Sequence, residues 1–302
     1  MKALVTGAGG FCGRRLVKSL QGRGLDVYTA GTRRTGPEKH FHLSDVADSK
    51  AVEAMLRAIA PDYVFHLAGV VTAGDPTLFY KVNCQFAVAI LHSMASLGMN
   101  SAPILLAGTS AEYGNVTADQ LPITEDTAPK PYNHYGISKL AQTLAGLSAA
   151  HKLKVVVARP FNIIGPEMPG HIVVQAFASQ IAEIIKGRRE PVIKVGNLAS
   201  SRDFIDARDV VDIYWELANS PKACGQVVNV CSGSAVKIAD MLKTLLEIAG
   251  KKIEVVEDPA LLKPVDVPAH YGSTKKLFGV IEPRSLRTVN DTLGDILSHL
   301  IK

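Results

Sequence analysis

Cysteine is sparse in this 302-residue chain: Cys12, Cys84, Cys224 and Cys231 lie far apart, with no CxxC pair and no cysteine and histidine set at ligand spacing. That distribution excludes a disulfide framework and a structural zinc site, so no metal is expected and the four are read as reduced core thiols. An apolar run long enough to cross a bilayer is also lacking. Met1 and Lys2 lead straight into Ala3-Leu4-Val5, a core-strand pattern that leaves no room for a secretory signal; the expected setting is cytoplasmic, with no membrane partner. Charge of one sign is massed nowhere. The 33 basic and 28 acidic residues give +5, and the cations are scattered apart from short pairs such as Arg33-Arg34, Arg188-Arg189 and Lys251-Lys252. Such spacing suits small phosphate-bearing ligands and argues against a nucleic-acid track.

What is present is an ordinary packed-protein composition, 47% hydrophobic and 20% charged, ordered by rhythm. Through residue 160, short apolar runs at 3–6, 26–30, 63–67, 104–107 and 155–159 alternate with helical patterns at 50–60, 76–97 and 132–151. Alternation of this kind predicts an α/β fold, a Rossmann doubly wound parallel sheet. After Pro160 the rhythm shortens at Gly165-Pro166, Pro169-Gly170, Pro191 and Gly196-Asn197, so a smaller C-terminal α/β substrate lobe is expected. A helix at 209–219 and a strand at 227–230 are regular enough to rejoin the main sheet. The expected division is therefore 1–165 plus about 205–230 for the dinucleotide domain, and 166–204 plus 231–302 for the lobe. Asp206 and Asp209, just before that helix, read as N-terminal caps.

The stretch Thr6-Gly7-Ala8-Gly9-Gly10-Phe11-Cys12-Gly13 follows the first strand and opens a helix. Glycines at 7, 10 and 13 allow a tight turn, close approach of backbone to a pyrophosphate and tight packing of helix on strand. A dinucleotide cofactor is the expected ligand. At the end of the second strand an NAD site usually offers a carboxylate to the adenosine ribose. Here the chain reads Ala30-Gly31-Thr32-Arg33-Arg34, with two guanidinium groups and no acid, which favours the 2′-phosphate of NADP(H), with NAD(H) as the alternative.

Tyr135 and Lys139, in Tyr-Gly-Ile-Ser-Lys, stand four apart on a predicted helix and so share one face. An ammonium beside a phenol favours its ionised form, and a phenol tuned in this way can exchange a proton with a carbonyl or alcohol. With the glycine turn and this pair in place, the chain resembles the extended short-chain dehydrogenase/reductase superfamily nearly end to end. Further matches are Asp45-Val46, His66-Leu67-Ala68-Gly69, Asn83 and Gly108-Thr109-Ser110-Ala111-Glu112-Tyr113-Gly114. The resemblance implies that Asp45 and Val46 meet the adenine, that Leu67, Ala68, Gly69, Asn83 and Pro160 line the cofactor, and that Thr109 completes a catalytic group with Tyr135 and Lys139. It also implies a homodimer built on the helices at 76–97 and 132–151, where Leu78, Phe86, Ile90, Ala141, Ala145 and Ala149 put apolar or small residues on more than one face.

Within the superfamily, Arg159-Pro160-Phe161-Asn162-Ile163-Ile164-Gly165-Pro166, the run from Glu190 to Leu198, Arg202-Asp203-Phe204, and Asn229 to Gly233 together look like the GDP-4-keto-6-deoxy-D-mannose reductases. This implies reduction of a nucleotide-sugar ketone by NADPH, with Thr109, Ser110, Asn162, Lys194, Asn197 and Arg202 toward the substrate, and Arg188 and Lys263 as further candidates. Related dehydratases place a glutamate two residues after the catalytic Ser/Thr, to take the C5 proton; that position is Ala111, which moves no proton. The chain departs from the group at Phe86-Ala87, where Gly-Thr is common, and at Lys263-Pro264-Val265-Asp266-Val267, where a lysine replaces an arginine and loses the bidentate fork. Two alternatives stay open: an epimerase of the same superfamily that retains NAD, and a non-catalytic NADP(H)-binding regulatory protein.

Overall fold

The computed structural model describes residues 1–34, 39–170, 172–262 and 267–302. Seven parallel strands form its main sheet: β1 (Lys2–Thr6), β2 (Asp26–Gly31), β3 (Lys39–His42), β4 (Tyr63–His66), β5 (Ile104–Ala107), β6 (Val155–Pro160) and, much later in the chain, β11 (Val227–Val230). Their spatial order is β11-β6-β5-β4-β1-β2-β3, so the order reverses next to β1, the doubly wound arrangement. The interior strands are mostly apolar because helices cover both faces. Only β3, reading Lys-His-Phe-His at the sheet edge, lacks that signature, and the apolar-run pattern did not predict it.

On one face, α1 (Phe11–Gly22) and α7 (Ala207–Asn219) bury Leu16, Leu20, Val210 and Tyr214 against the sheet. On the other, α2 (Ser49–Ile59), α4 (Phe86–Ser96) and α5 (His134–Ala149) bury Val52, Met55, Phe86, Ile90 and Met94. The helix expected over 76–97 is present without a break, but between α3 (Thr77–Tyr80) and α4 it takes a π-helical turn, Lys81–Gln85. Phe86 and Ile90 are 1% and 0% exposed, so two residues expected at a subunit interface belong to the chain's own core.

The later segments add β7 (Asn162–Ile164), α6 (Val173–Ile185), β8 (Val192–Val195), β9 (Ser201–Arg202), β10 (Phe204–Asp206), β12 (Val236–Lys237), α8 (Ile238–Ala249), β13 (Glu254–Glu257), β14 (Ala269–His270), α9 (Leu277–Val280) and α10 (Val289–Ile301). A separate core of α6, α8, α10 and β8 gathers Phe177, Ile181, Ile193, Met241 and Leu293. Leu277 and Ile281, expected in the C-terminal lobe, instead pack into the core of α1 and α7. Asp206 caps α7 as expected, accepting the Arg208 amide at 2.7 Å, whereas Asp209 accepts the Arg287 amide at 2.8 Å and ties α7 to the approach to α10. The cysteines are free thiols, but Cys224 is exposed and Cys12 and Cys84 are half-buried; only Cys231 lies in the core.

Ile90→Ala should cost about 2–5 kcal/mol in urea unfolding, because it empties a site that the core cannot refill. Gln85→Ala, one turn earlier on the solvent side, should stay within about 0.5 kcal/mol of the parent.

Candidate active site

β1 ends at Thr6, and Gly7 turns the chain at φ +71°. A Cβ on Gly7 would stand 2.6 Å from the Ala68 backbone, and one on Gly13 only 2.1 Å from the Gly7 carbonyl oxygen, so neither position accepts a side chain. Gly10 leads into α1 in extended conformation with no side-chain cap, which leaves the amides of the first turn for an anion. The turn forms one wall of a cavity of about 790 Å³. Its other walls are the end of β2 with Arg33 and Arg34, the loop at Asp45 and Val46, and Leu67 to Gly69 beyond β4. A dinucleotide fits this donor set: amides for a pyrophosphate, and guanidinium groups rather than a carboxylate at the end of β2.

Several expected cofactor contacts sit elsewhere or do other work. Phe11 lies under the Arg15 guanidinium at 4.3 Å; Pro160 is buried as the last residue of β6; the Cys12 thiol is pushed up to about 12 by burial. None of the three lines the cavity, nor does Gly13. Asn83, on the π-helical turn, is fully buried. Its Oδ1 accepts the Val70 amide at 2.7 Å, and its Nδ2 donates to the Val70 carbonyl and the Ser138 hydroxyl, both at 3.0 Å. It is a brace between the loop after β4 and α5, because every polar atom it has is engaged. Asp45 does line the cavity, but across its mouth it meets Lys81 Nζ at 2.9 Å, and that bond holds its carboxyl below the usual range. Lys81 escaped the sequence reading, since nothing marks one lysine in a long helical run.

Thr109 follows β5 and caps a single helical turn: its Oγ1 accepts the Ala111 amide at 3.2 Å, and its own amide donates to Glu112 Oε1 at 2.9 Å. Tyr135 is in the first turn of α5, which Asn133 caps through the Gly136 amide at 2.8 Å. A Cβ on Gly136 would stand 2.8 Å from the Ala111 carbonyl oxygen, so the glycine after Tyr135 lets α5 press onto the Thr109 turn. The Tyr135 phenol is raised by burial, and a hydrogen bond with Thr109 works in the opposite direction. Lys139 is 3% exposed; its Nζ donates to Gln142 Oε1 at 2.7 Å, and burial lowers its pKa to about 8. The expectation that Lys139 holds the phenol down is corrected: the groups acting on Tyr135 are Thr109, Glu112 and Cys12, and the ammonium is directed to Gln142.

A second cavity, about 290 Å³, opens beside Thr109 and Tyr135. Ser110, Asn162 and Arg202 line it, as do Ala111, Phe161 and Val267; Tyr132 and His270 join them without having been singled out in the sequence. Asn162 Nδ2 donates to the Asp203 carbonyl at 2.8 Å, and Arg202 reaches across to the Val267 carbonyl at 2.7 Å. Lys194, Asn197 and Arg188 are not brought to this cavity. Lys194 pairs with Asp258 at 3.5 Å, Asn197 Oδ1 accepts the Ala199 amide at 2.8 Å, and Arg188 follows the far end of α6, where it meets Glu183 at 3.5 Å. Lys263 lies outside the described residues. Among the described residues no group of histidine, cysteine and acidic side chains could hold a metal ion, and no helix is long and apolar enough to cross a membrane.

These parts define a class: an α/β dinucleotide-binding fold with Thr, Tyr and Lys gathered at the strand ends beside a small polar cavity. Residues 3–231 match the NAD dependent epimerase/dehydratase family, and the chain belongs to it. It is an enzyme of that family, with a nicotinamide dinucleotide, NAD(P), as cofactor. GDP-6-deoxy-D-mannose reductase of Pseudomonas aeruginosa is 31% identical, across 98% of this chain and 96% of that one. The structure of RMD from Pseudomonas aeruginosa complexed with NADPH matches with a TM-score of 0.85 at 29% identity, covering 99% and 98% of the two chains. UDP-glucose 4-epimerase of Thermus thermophilus, in complex with NAD, matches with a TM-score of 0.81 at 26% identity, covering 99% of each.

Between about pH 8 and the ordinary lysine value, the unfolded chain holds the Lys139 proton and the folded chain does not, so stability rises with pH across that window. Lys139→Met should flatten this rise and stabilise the protein by roughly 1–3 kcal/mol at neutral pH while abolishing turnover. Urea unfolding of both proteins at neutral pH and above the lysine range checks it.

Proposed function

We propose that the protein reduces the C4 ketone of GDP-4-keto-6-deoxy-D-mannose with NADPH, giving a GDP-6-deoxyhexose of the GDP-D-rhamnose type. The observation that carries this is the placement of carboxylates. Ala111 faces the small cavity, and the neighbouring Glu112 is fully buried and engaged by Arg159 at 2.8 Å. A dehydratase needs a base for the C5 proton, and neither residue offers one to the cavity. The match to GDP-6-deoxy-D-mannose reductase supports the nucleotide and the sugar. Arg33 and Arg34, with no acid at the end of β2, support NADP(H) over NAD(H).

The cofactor supplies the hydride when bound. Burial keeps the Tyr135 phenol protonated at neutral pH, so it can donate to the alkoxide that develops at C4. Thr109, which hydrogen-bonds the Tyr135 side chain, would turn its hydroxyl to the same oxygen when substrate binds. Arg202 would take a diphosphate oxygen and Asn162 would line its approach. Tyr135→Phe should lower NADPH consumption with the keto-sugar by about 100-fold or more. Near-normal consumption by that variant would sink the assignment, and a protein that purifies with NAD and shows no net redox would be an epimerase instead.

We also infer a homodimer on these helices, with Leu78 of the expected residues exposed and Phe86 and Ile90 not. Val88 is 43% exposed on α4, and Ile137 and Leu144 are 39% and 58% exposed on α5, while Phe86 and Ile90 face inward. Light scattering should report twice the chain mass at micromolar concentration and a monomer for Leu144→Glu. A parent protein that scatters as a monomer contradicts this.

A further inference from the structure

β9 and β14 pair in parallel with His270 in register with Arg202, and both residues line the cavity beside Thr109 and Tyr135. The imidazole is closely held. His270 is 9% exposed, its ring lies tilted against Phe161 with centroids 5.4 Å apart, and its carbonyl accepts the Asp203 amide at 3.0 Å. Asp203 is itself fixed, because its carboxylate accepts the Ser232, Gly233 and Gly272 amides and the Ser232 hydroxyl. Burial, helped by the Arg202 guanidinium, lowers the imidazole to about 4, so the ring is neutral at pH 7. A neutral imidazole carries hydrogen on one ring nitrogen and only a lone pair on the other.

Different polar groups of the cavity suit different atoms of a substrate. A ketone oxygen and a diphosphate oxygen only accept hydrogen bonds, and Thr109, Tyr135 and Arg202 are donors suited to them. A lone pair serves neither, but it suits a hydroxyl, which can donate. The cavity, at about 290 Å³, is at the small end for ligand sites and has room for a sugar ring rather than a whole nucleotide sugar. We propose that His270 accepts a hydrogen bond from a ring hydroxyl of the hexose and so selects which sugar the enzyme takes. This rests on the nucleotide-sugar reading above and adds to it a residue that reads the sugar rather than the nucleotide.

The test is calorimetric titration of the full chain with GDP and with GDP-mannose in the presence of NADP⁺, for the parent, His270→Phe and His270→Gln. His270→Phe should bind GDP-mannose about tenfold more weakly while GDP moves less than about twofold. His270→Gln, whose amide oxygen can accept the same hydroxyl, should recover part of the loss. Unchanged affinity of His270→Phe for GDP-mannose overturns the proposal, and so does an equal loss for GDP and GDP-mannose. A parent chain that ignores GDP-mannose but binds UDP-glucose overturns the guanine reading alone, and the ratio for UDP and UDP-glucose then decides His270 in the same way. A parent that binds none of these overturns both.

Discussion

The site is organised around one buried ion pair. Glu112 is 0% exposed and Arg159 3%, and the carboxylate spends both oxygens inside the protein. Oε2 takes the Arg159 guanidinium and the Thr143 hydroxyl, each at 2.8 Å, and Oε1 takes the Thr109 amide at 2.9 Å. Thr143 is on the helix that carries Tyr135 and Lys139, and Arg159 is on β6, so a single side chain ties the catalytic turn to the catalytic helix and to the sheet. The guanidinium in turn lies 4.7 Å from the Tyr113 ring, whose hydroxyl donates to Asn229 on β11 at 2.7 Å. Burial alone pushes the carboxyl up; Arg159, Thr143 and the Thr109 amide work against that. Removing either partner strands a charge in the core, a loss of about 3–5 kcal/mol.

The pair has a chemical consequence as well as a structural one. A carboxylate one residue along from Ala111 would be a ready base if it faced the cavity, but Arg159 holds it in the core and away from the cavity. Close contact repeats the theme on the cofactor side. Gly7, Gly13 and Gly136 each stand where a side chain would collide with backbone, so the turn, the strand ends and α5 can approach one another. Asn83 then ties the loop after β4 to Ser138, and the Ser138 hydroxyl donates to the Tyr135 carbonyl at 2.8 Å.

The strands of the main sheet were legible because a parallel sheet covered on both faces needs unbroken apolar runs, and β5 and β11 fall where their runs do. β3 was not, since an edge strand half in solvent can be built from Lys39, His40, Phe41 and His42. The helical pattern over 76–97 gave no sign of its π-helical turn, because adding one residue to a turn alters the face presented without altering composition. That turn places both Asn83 and Lys81. Phe86 and Ile90 looked like interface residues because a helix buried on most of its surface shows the same broad apolar pattern as one that meets a partner.

The amino-acid sequence by itself determined the features that depend on neighbours along the chain: the alternation of strand and helix, the glycine turn, the absence of an acid beside Arg33 and Arg34, and the four-residue spacing of Tyr135 and Lys139. Tertiary structure alone decided what each charge meets. Asp45 turns to Lys81, Glu112 into the core, and His270 to the side of Arg202 across two short strands. Local spacing follows from backbone geometry, which is the same in every protein. A partner 47 residues away, as Arg159 is from Glu112, is chosen only when burial removes water and leaves each polar group to find its match inside the fold.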